Sequence, residues 1–300
     1  MSPLLLQGVA SGIVTGCVYA LIALSLVIVY KSSDVINFAG GEMVMLGGYL
    51  GMFALLWLGL PYIFIFPFAA LVIFVIGALF DRVVLTRVVG RAIPGQSILV
   101  AMIIGTVGLS YVLKGAVRVI PYTEEVRRLP PFSSGAPIFI GPVVLQHQDI
   151  AIVVAAVAIM AALWAFFSFT LIGKALRATS QNPRAAALVG IPVRAMSMTA
   201  WGLAAALAGV AGILLAPKLL ITPDMGVIVI LALAAAIIGG FVSLPGCVAG
   251  GIVLGVVQNL IGLYVSSRAI SLAPFLVIMV VLLLRPQGLY GQRLREDVAA

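Results

Sequence analysis

Apolar stretches recur along the whole chain, over residues 4–30, 38–60, 62–80, 97–117, 150–171, 196–216, 227–242, 246–264 and 269–284. A helix needs about 20 apolar residues to cross the hydrocarbon core of a bilayer. Within lipid, only helices and closed barrels satisfy their own backbone groups. The pattern therefore predicts an all-α polytopic membrane protein, a single domain over 1–300 with eight to nine transmembrane helices. The count turns on 227–242 and 246–264, joined by Ser243-Leu244-Pro245-Gly246. Either reads as a full span or as a half-helix.

Composition excludes the alternatives. Only 9% of the residues are charged and 63% are hydrophobic, with mean hydropathy +1.27, against about 25% charged in soluble domains. The net charge of +8 belongs at cytoplasmic helix ends rather than on nucleic acid. Cys17 and Cys247 are far apart in apolar runs and form neither a disulfide framework nor a thiol site. The 4–30 run has no basic segment before it and is too long for a signal-peptide core, so it reads as a retained helix.

Basic residues set the orientation, because cytoplasmic loops keep positive charge. With the N-terminus outside, the inner segments hold Lys31, Arg82, Arg87, Arg91, Lys174, Arg177, Arg184, Arg194, Arg285, Arg293 and Arg295. The outer side holds only Lys114, Arg118, Arg127, Arg128, Lys218 and Arg268. The expected topology is N-outside, C-cytoplasmic. An external loop over 119–149 contains Pro121, Pro130, Pro131, Pro137 and Pro142 together with Glu124, Glu125 and Asp149. Its 136–145 stretch predicts a short extended hairpin. His147, the single histidine, follows it and is expected to be solvated rather than a metal ligand, since no second ligand is near.

Glycines concentrate at Gly40, Gly41, Gly47, Gly48 and Gly51, and again at Gly239, Gly240, Gly246, Gly250, Gly251 and Gly255. Each set follows a leading apolar helix, and those two helices run in opposite directions. This fits an inverted repeat flanking a transport pathway, or simply close helix packing through small residues. No phosphate-binding GxxxxGK[ST], HExxH or GxSxG occurs, so neither ATP hydrolysis by that route nor those enzyme chemistries are expected. No metal site or cofactor is expected in this chain. Among acids, Glu42 stands within an apolar segment, with Asn37 before it and Gln258 and Asn259 in a late span. So few buried charges fit a transporter energised from elsewhere better than an ion-coupled carrier. Glu42 is expected about a turn from the cytoplasmic interface. There it either caps the helix or pairs with Lys31, or it lines the pathway at a helix break with Asn37, Gly40, Gly41, Gly239 and Gly240.

The 173–194 stretch is basic and contains no acid. Ser180-Gln181-Asn182-Pro183 predicts a helix start, with Asn182 as N-cap and Pro183 at N1. Gly190 suits a left-handed helix end, and Pro192 blocks continuation. A helix of about two turns is unstable alone. It lies either on anionic lipid or in a groove of a cytoplasmic partner. Its Ala185-Ala186 and Gly190 resemble the coupling loop of ABC importer permeases, although Arg184 occupies the position of that pattern's Glu.

The chain is similar over nearly its whole length to the LivH family, permeases of branched-chain amino-acid ABC importers. The N-terminal resemblance lies in Gly16, Tyr19-Ala20-Leu21-Ile22-Ala23, Val29-Tyr30, Ile36-Asn37-Phe38-Ala39 and Gly41-Glu42. Gly173, Leu176-Arg177-Ala178, Leu188, Gly190-Ile191, Ala208-Gly209 and Ala211-Gly212 follow the middle of the family pattern. Gly239-Gly240, Ser243, Pro245-Gly246, Gly250-Gly251, Leu254-Gly255, Pro286 and Gly288-Leu289 complete it. The resemblance implies a bacterial inner-membrane permease paired with a LivM-like subunit, two cytoplasmic ATPases that bind the ATP, and an external solute-binding protein. It implies an ATPase-docking loop built from Gly173, Lys174, Ala175, Leu176, Arg177, Ala178, Asn182, Pro183, Arg184, Ala185, Ala186, Ala187, Leu188, Gly190, Ile191 and Arg194. Urea, amides or other amino acids are the alternative cargo, and an ion-coupled secondary transporter is the alternative class.

Overall fold

The computed structural model describes residues 3–90, 97–120, 128–133, 135–241, 243–285 and 287–290, apart from the side chain of Val89. Arg91, Pro121, Glu124, Glu125, Arg127, Pro286, Arg293 and Arg295 lie outside the described residues. Six helices are long and apolar enough to cross a membrane, by length and composition. They are α1 (Pro3–Ser33), α3 (Tyr62–Phe80, continued to Val88), α5 (Ile98–Val119), α6 (His147–Phe169), α9 (Val193–Leu215) and α11 (Leu244–Tyr264). Three apolar helices are shorter: α2 (Gly40–Leu56), α10 (Ile228–Gly239) and α12 (Ala273–Leu284). The remaining helices are α4 (Thr86–Gly90), α7 (Leu171–Gln181) and α8 (Pro183–Leu188).

Several expected boundaries move. The 246–264 stretch belongs to a full 21-residue helix, whereas 227–242 contributes only the 12-residue α10 after a 3-10 turn at Met225–Val227. The 38–60 stretch also shortens, to the 17 residues of α2. The expected hairpin is present, with β1 (Ile138–Ile140) antiparallel to β2 (Val143–Leu145) across a positive-φ Gly141. Gln7 of α1 holds it through both backbone groups of one residue: its side-chain oxygen accepts from the Val144 N–H at 2.8 Å and its amide donates to the Val144 carbonyl at 3.0 Å. His147 is half-buried, and its ring stands beside Gly135, where a Cβ would fall 2.9 Å from Cε1.

α1 is the central post, buried along most of its length. Lipid tails are as apolar as leucine, so helices in a membrane gain from close van der Waals approach rather than from the hydrophobic effect. Glycine provides that approach here. A Cβ on Gly12 or Gly16 would fall 2.5 Å from Val256 Cα or 2.7 Å from Ile252 Cα, so α1 and α11 meet backbone to backbone. On the other side Gly47 of α2 meets the Gly209 carbonyl of α9, and Gly212 meets that of Val44. α5 and α6 are peripheral, each with only 11% of its most apolar window buried.

The contacts fall into two matching sets. α1 packs on α11 as α9 packs on α3, and α2 lies on α9 as α10 lies on α1. α2 borders α3 and α5, while α10 borders α11 and α12. Exchanging the series α1, α2, α3, α5 with α9, α10, α11, α12 therefore carries one set of neighbours onto the other.

Candidate functional site

The 173–194 stretch begins at a pivot. Thr170 ends α6 and starts α7: its N–H donates to Phe166 O at 3.2 Å, while its Oγ1 accepts from the Gly173 N–H at 2.9 Å. Gly173 is required because a Cβ there would overlap the Phe166 carbonyl and lie 2.7 Å from Phe167 Cα. α7, expected as loop, is an amphipathic helix that buries Gly173 and Leu176 and exposes Lys174 and Arg177. Ser180 and Gln181 thus close α7 rather than start the next helix. A cavity of ≈ 70 Å³ beneath α7 is lined by Ile28, Phe167, Leu176, Ala200 and Leu244, with Lys31 and Arg177 at its polar edge.

α8 is built as its residues dictate. Asn182 Oδ1 accepts from the Ala185 N–H at 3.0 Å, and Pro183 takes the first position, where a missing N–H costs nothing. At the other end Gly190 has φ +86°, its N–H donates to Ala187 O at 3.1 Å, and the Ile191 N–H donates to Ala186 O at 3.0 Å. That pair of bonds is the Schellman closure. Ala186 faces inward and is buried, which corrects its assignment to a partner-facing surface. Arg184, Ala185 and Ala187 are exposed, Leu188 is 89% exposed and Val189 is 77% exposed. Arg194 is exposed at the start of α9.

The second site is where α2 and α10 begin. Asn37 is buried; its Oδ1 accepts from the Ala39 N–H at 3.0 Å and its carbonyl from the Gly40 N–H at 3.2 Å. Gly40 lies beside Leu26 of α1 and Val229 of α10: a Cβ there would fall 3.2 Å from Leu26 Cδ2 and 3.6 Å from Val229 Cγ2. Leu26 is about 10 Å before the end of α1, at 1.5 Å per residue. The Phe38 N–H meets Thr106, near the middle of α5, at 3.4 Å. The start of α2 therefore lies about 10 Å before the end of α1 and beside the middle of α5.

Gly41 abuts the Gly226 carbonyl, and a Cβ on Gly226 would lie 2.9 Å from Glu42 Oε1. Glu42 is buried in the first turn of α2, against the turn that opens α10. Two helix N-termini converge on one carboxylate, where their partial positive charge favours an anion. Gly239 and Gly240 do not join this site. They stand at the other end of α10, about 18 Å away by helix rise, packed on Gly246 and capped by hydrogen bonds from Leu289 and Tyr290.

Glu42 is not the lone buried acid. Asp81 is buried in a π-helical segment, Asp81–Leu85, and accepts from Ser197 Oγ of α9 at 2.9 Å. A hydropathy reading ends the 62–80 span one residue earlier and misses it. Gln258 and Asn259 are structural: Tyr19 donates to Gln258 Oε1 at 2.9 Å, and Asn259 donates to the Gly255 carbonyl at 2.9 Å.

A family described as branched-chain amino acid transport system / permease component matches residues 8–284. The chain belongs to this family. The permease is 31% identical to the high-affinity branched-chain amino acid transport system permease protein BraD of Pseudomonas aeruginosa, over 98% of each chain. It is 30% identical to LivH of Salmonella typhimurium, over 98% of this chain and 97% of that one. A probable LivH of Methanocaldococcus jannaschii is 29% identical over 90% and 88%. Among solved structures, PsaBC from Streptococcus pneumoniae in complex with Fab has a similar fold, with TM-score 0.50 and 16% identity over 93% and 92% of the chains.

Proposed function

We propose that this permease forms, with a LivM-like partner, the path of an ABC importer for branched-chain amino acids in the bacterial inner membrane. Two cytoplasmic ATPases supply the energy and an external binding protein delivers the substrate. The N-terminus is outside and the C-terminus inside. α2 and α10 act as half-helices that meet at mid-span, within an inverted repeat that the matching contact sets support. The membrane segments then comprise the six long helices, these two half-helices and α12.

The observation that carries ATPase coupling is the tip of α8. Two large apolar side chains, Leu188 and Val189, stand almost fully exposed on a helix capped at both ends. Exposed apolar groups on a rigid water-facing element mark an interaction surface. Lys174, Arg177, Arg184 and Arg194 surround that tip with positive charge. In this reading the loop docks on an ATPase, and the α7 pivot transmits the motion to α6 and α9.

Leu188→Asp tests the docking. It removes the apolar contact without touching buried packing. It is expected to abolish ATPase co-purification and ATP-driven leucine uptake while the permease still assembles with its partner subunit. Full ATPase retention with normal uptake rejects docking through this tip. Competition of leucine uptake by isoleucine and valine, but not by urea or amides, tests the cargo. Uptake that needs an ion gradient instead of ATP would mark a secondary carrier.

A further inference from the structure

α5 is apolar over most of its surface, yet Thr106, Ser110, Lys114 and Arg118 recur at every fourth position. Residues four apart share a helix face. A polar row thus descends from the outer end of α5 to its middle, about 18 Å at 1.5 Å per residue. The non-helical entries to both half-helices lie along it. Thr106 bonds the Phe38 N–H just before α2. Lys114 Nζ meets Asp224 Oδ1 at 3.1 Å, and Arg118 meets Asp224 Oδ2 at 3.6 Å, just before the turn that opens α10.

This face is unsuited to lipid. Non-helical backbone at membrane depth is tolerated where protein covers it or where it lines a water-filled cavity. Ionisable groups within spans likewise face such cavities. Here the Asp224 side chain is 65% exposed, and beyond it Val227 is 59% and Phe38 39% exposed. Charges stand at the outer end of the face and apolar groups at its depth.

We propose that this face is the outer half of the substrate path. Lys114 and Asp224 receive the zwitterionic head of a free amino acid, and Phe38 with Val227 forms an apolar neck at the level of Glu42. The inference rests on the permease reading and specifies the cargo chemically. An α-carboxylate is drawn to Lys114 and an α-ammonium to Asp224, and a zwitterion offers both on one carbon. An aliphatic side chain passes the neck without giving up hydrogen bonds, whereas a charged one is penalised there. Lys114 and Thr106 are about 12 Å apart along α5, so head site and neck are successive positions.

The test uses the complete importer in membrane vesicles, with Cys17→Ala and Cys247→Ala as background. Phe38→Cys and Val227→Cys are exposed from outside to a charged, membrane-impermeant methanethiosulfonate, with Leu71→Cys on the outer face of α3 as a lipid-facing control. Both neck positions are expected to react and to lose uptake on modification, while the control does not react. Reaction at both neck positions only with a lipid-soluble maleimide overturns the proposal. Should the cysteine variants fail to assemble, Lys114→Gln and Asp224→Asn decide. Each is expected to lower leucine uptake several-fold with binding-protein docking unchanged, and unaltered uptake in both overturns the proposal. The unmodified importer separates the two levels of inference. Absence of its ATP-dependent uptake sinks the permease reading, whereas normal uptake with an unreactive neck sinks only the path.

Discussion

Glu42 shows how a neighbour changes the meaning of a residue. On an isolated helix its carboxylate would be an ordinary first-turn anion. Buried beside Gly226 and two helix N-termini, it is a charge held by backbone dipoles. Glu42→Gln keeps the shape and removes the charge. It is expected to cost about 0.3–2 kcal/mol in stability and to lower uptake per assembled complex; normal uptake at equal assembly would leave Glu42 a purely structural role. Gly41 allows a sharper comparison. Gly41→Ala drives a methyl into the Gly226 carbonyl and should cost at least about 1–3 kcal/mol, seen as reduced yield of assembled permease. Gly48→Ala, whose Cβ would sit 3.6 Å from its nearest neighbours in Ile221, is the tolerated control.

At the scale of elements, α7 and α8 act through their ends. Nothing lies within 4 Å of a Cβ at Gly190, so the need for glycine there is conformational rather than steric. Gly190→Val should cost on the order of 1–3 kcal/mol of local strain, loosening α8 and weakening ATPase co-purification. Gly190→Asn should retain most binding, because asparagine tolerates the left-handed region. Behind α8, Ser197 donates to the buried Asp81 and ties the start of α9 to the end of α3. Ser197→Ala removes that donor and should lower stability by about 1–3 kcal/mol, read as a lower unfolding temperature of the purified permease. An unchanged unfolding temperature would show that Asp81 is satisfied without it.

At the scale of the molecule, the matching contact sets place α2 and α10 as counterparts that start at one level and run to opposite sides. That arrangement requires α1 and α9 to run in opposite directions. A reporter active only in the cytoplasm is therefore expected to be active when fused after Ala300 and silent when inserted at Gly141 of the hairpin. The reverse pattern would invert the sidedness and move the α8 surface away from any ATPase.

The sequence by itself determined the class of the protein, the position of its long apolar helices, the hairpin and both ends of α8. These rest on hydropathy or on local chemistry: Asn182, Pro183 and Gly190 act within one or two turns of themselves. Only the tertiary structure decided that Glu42 is buried, that Gly226 rather than Gly239 is its neighbour, and that Ala186 faces inward. Hydropathy averages over a window, so it cannot distinguish a stretch that is helical throughout from one whose first part is not. A glycine's partner can lie 185 positions away, as with Gly41 and Gly226, and is chosen by which helices approach closely enough to exclude a Cβ.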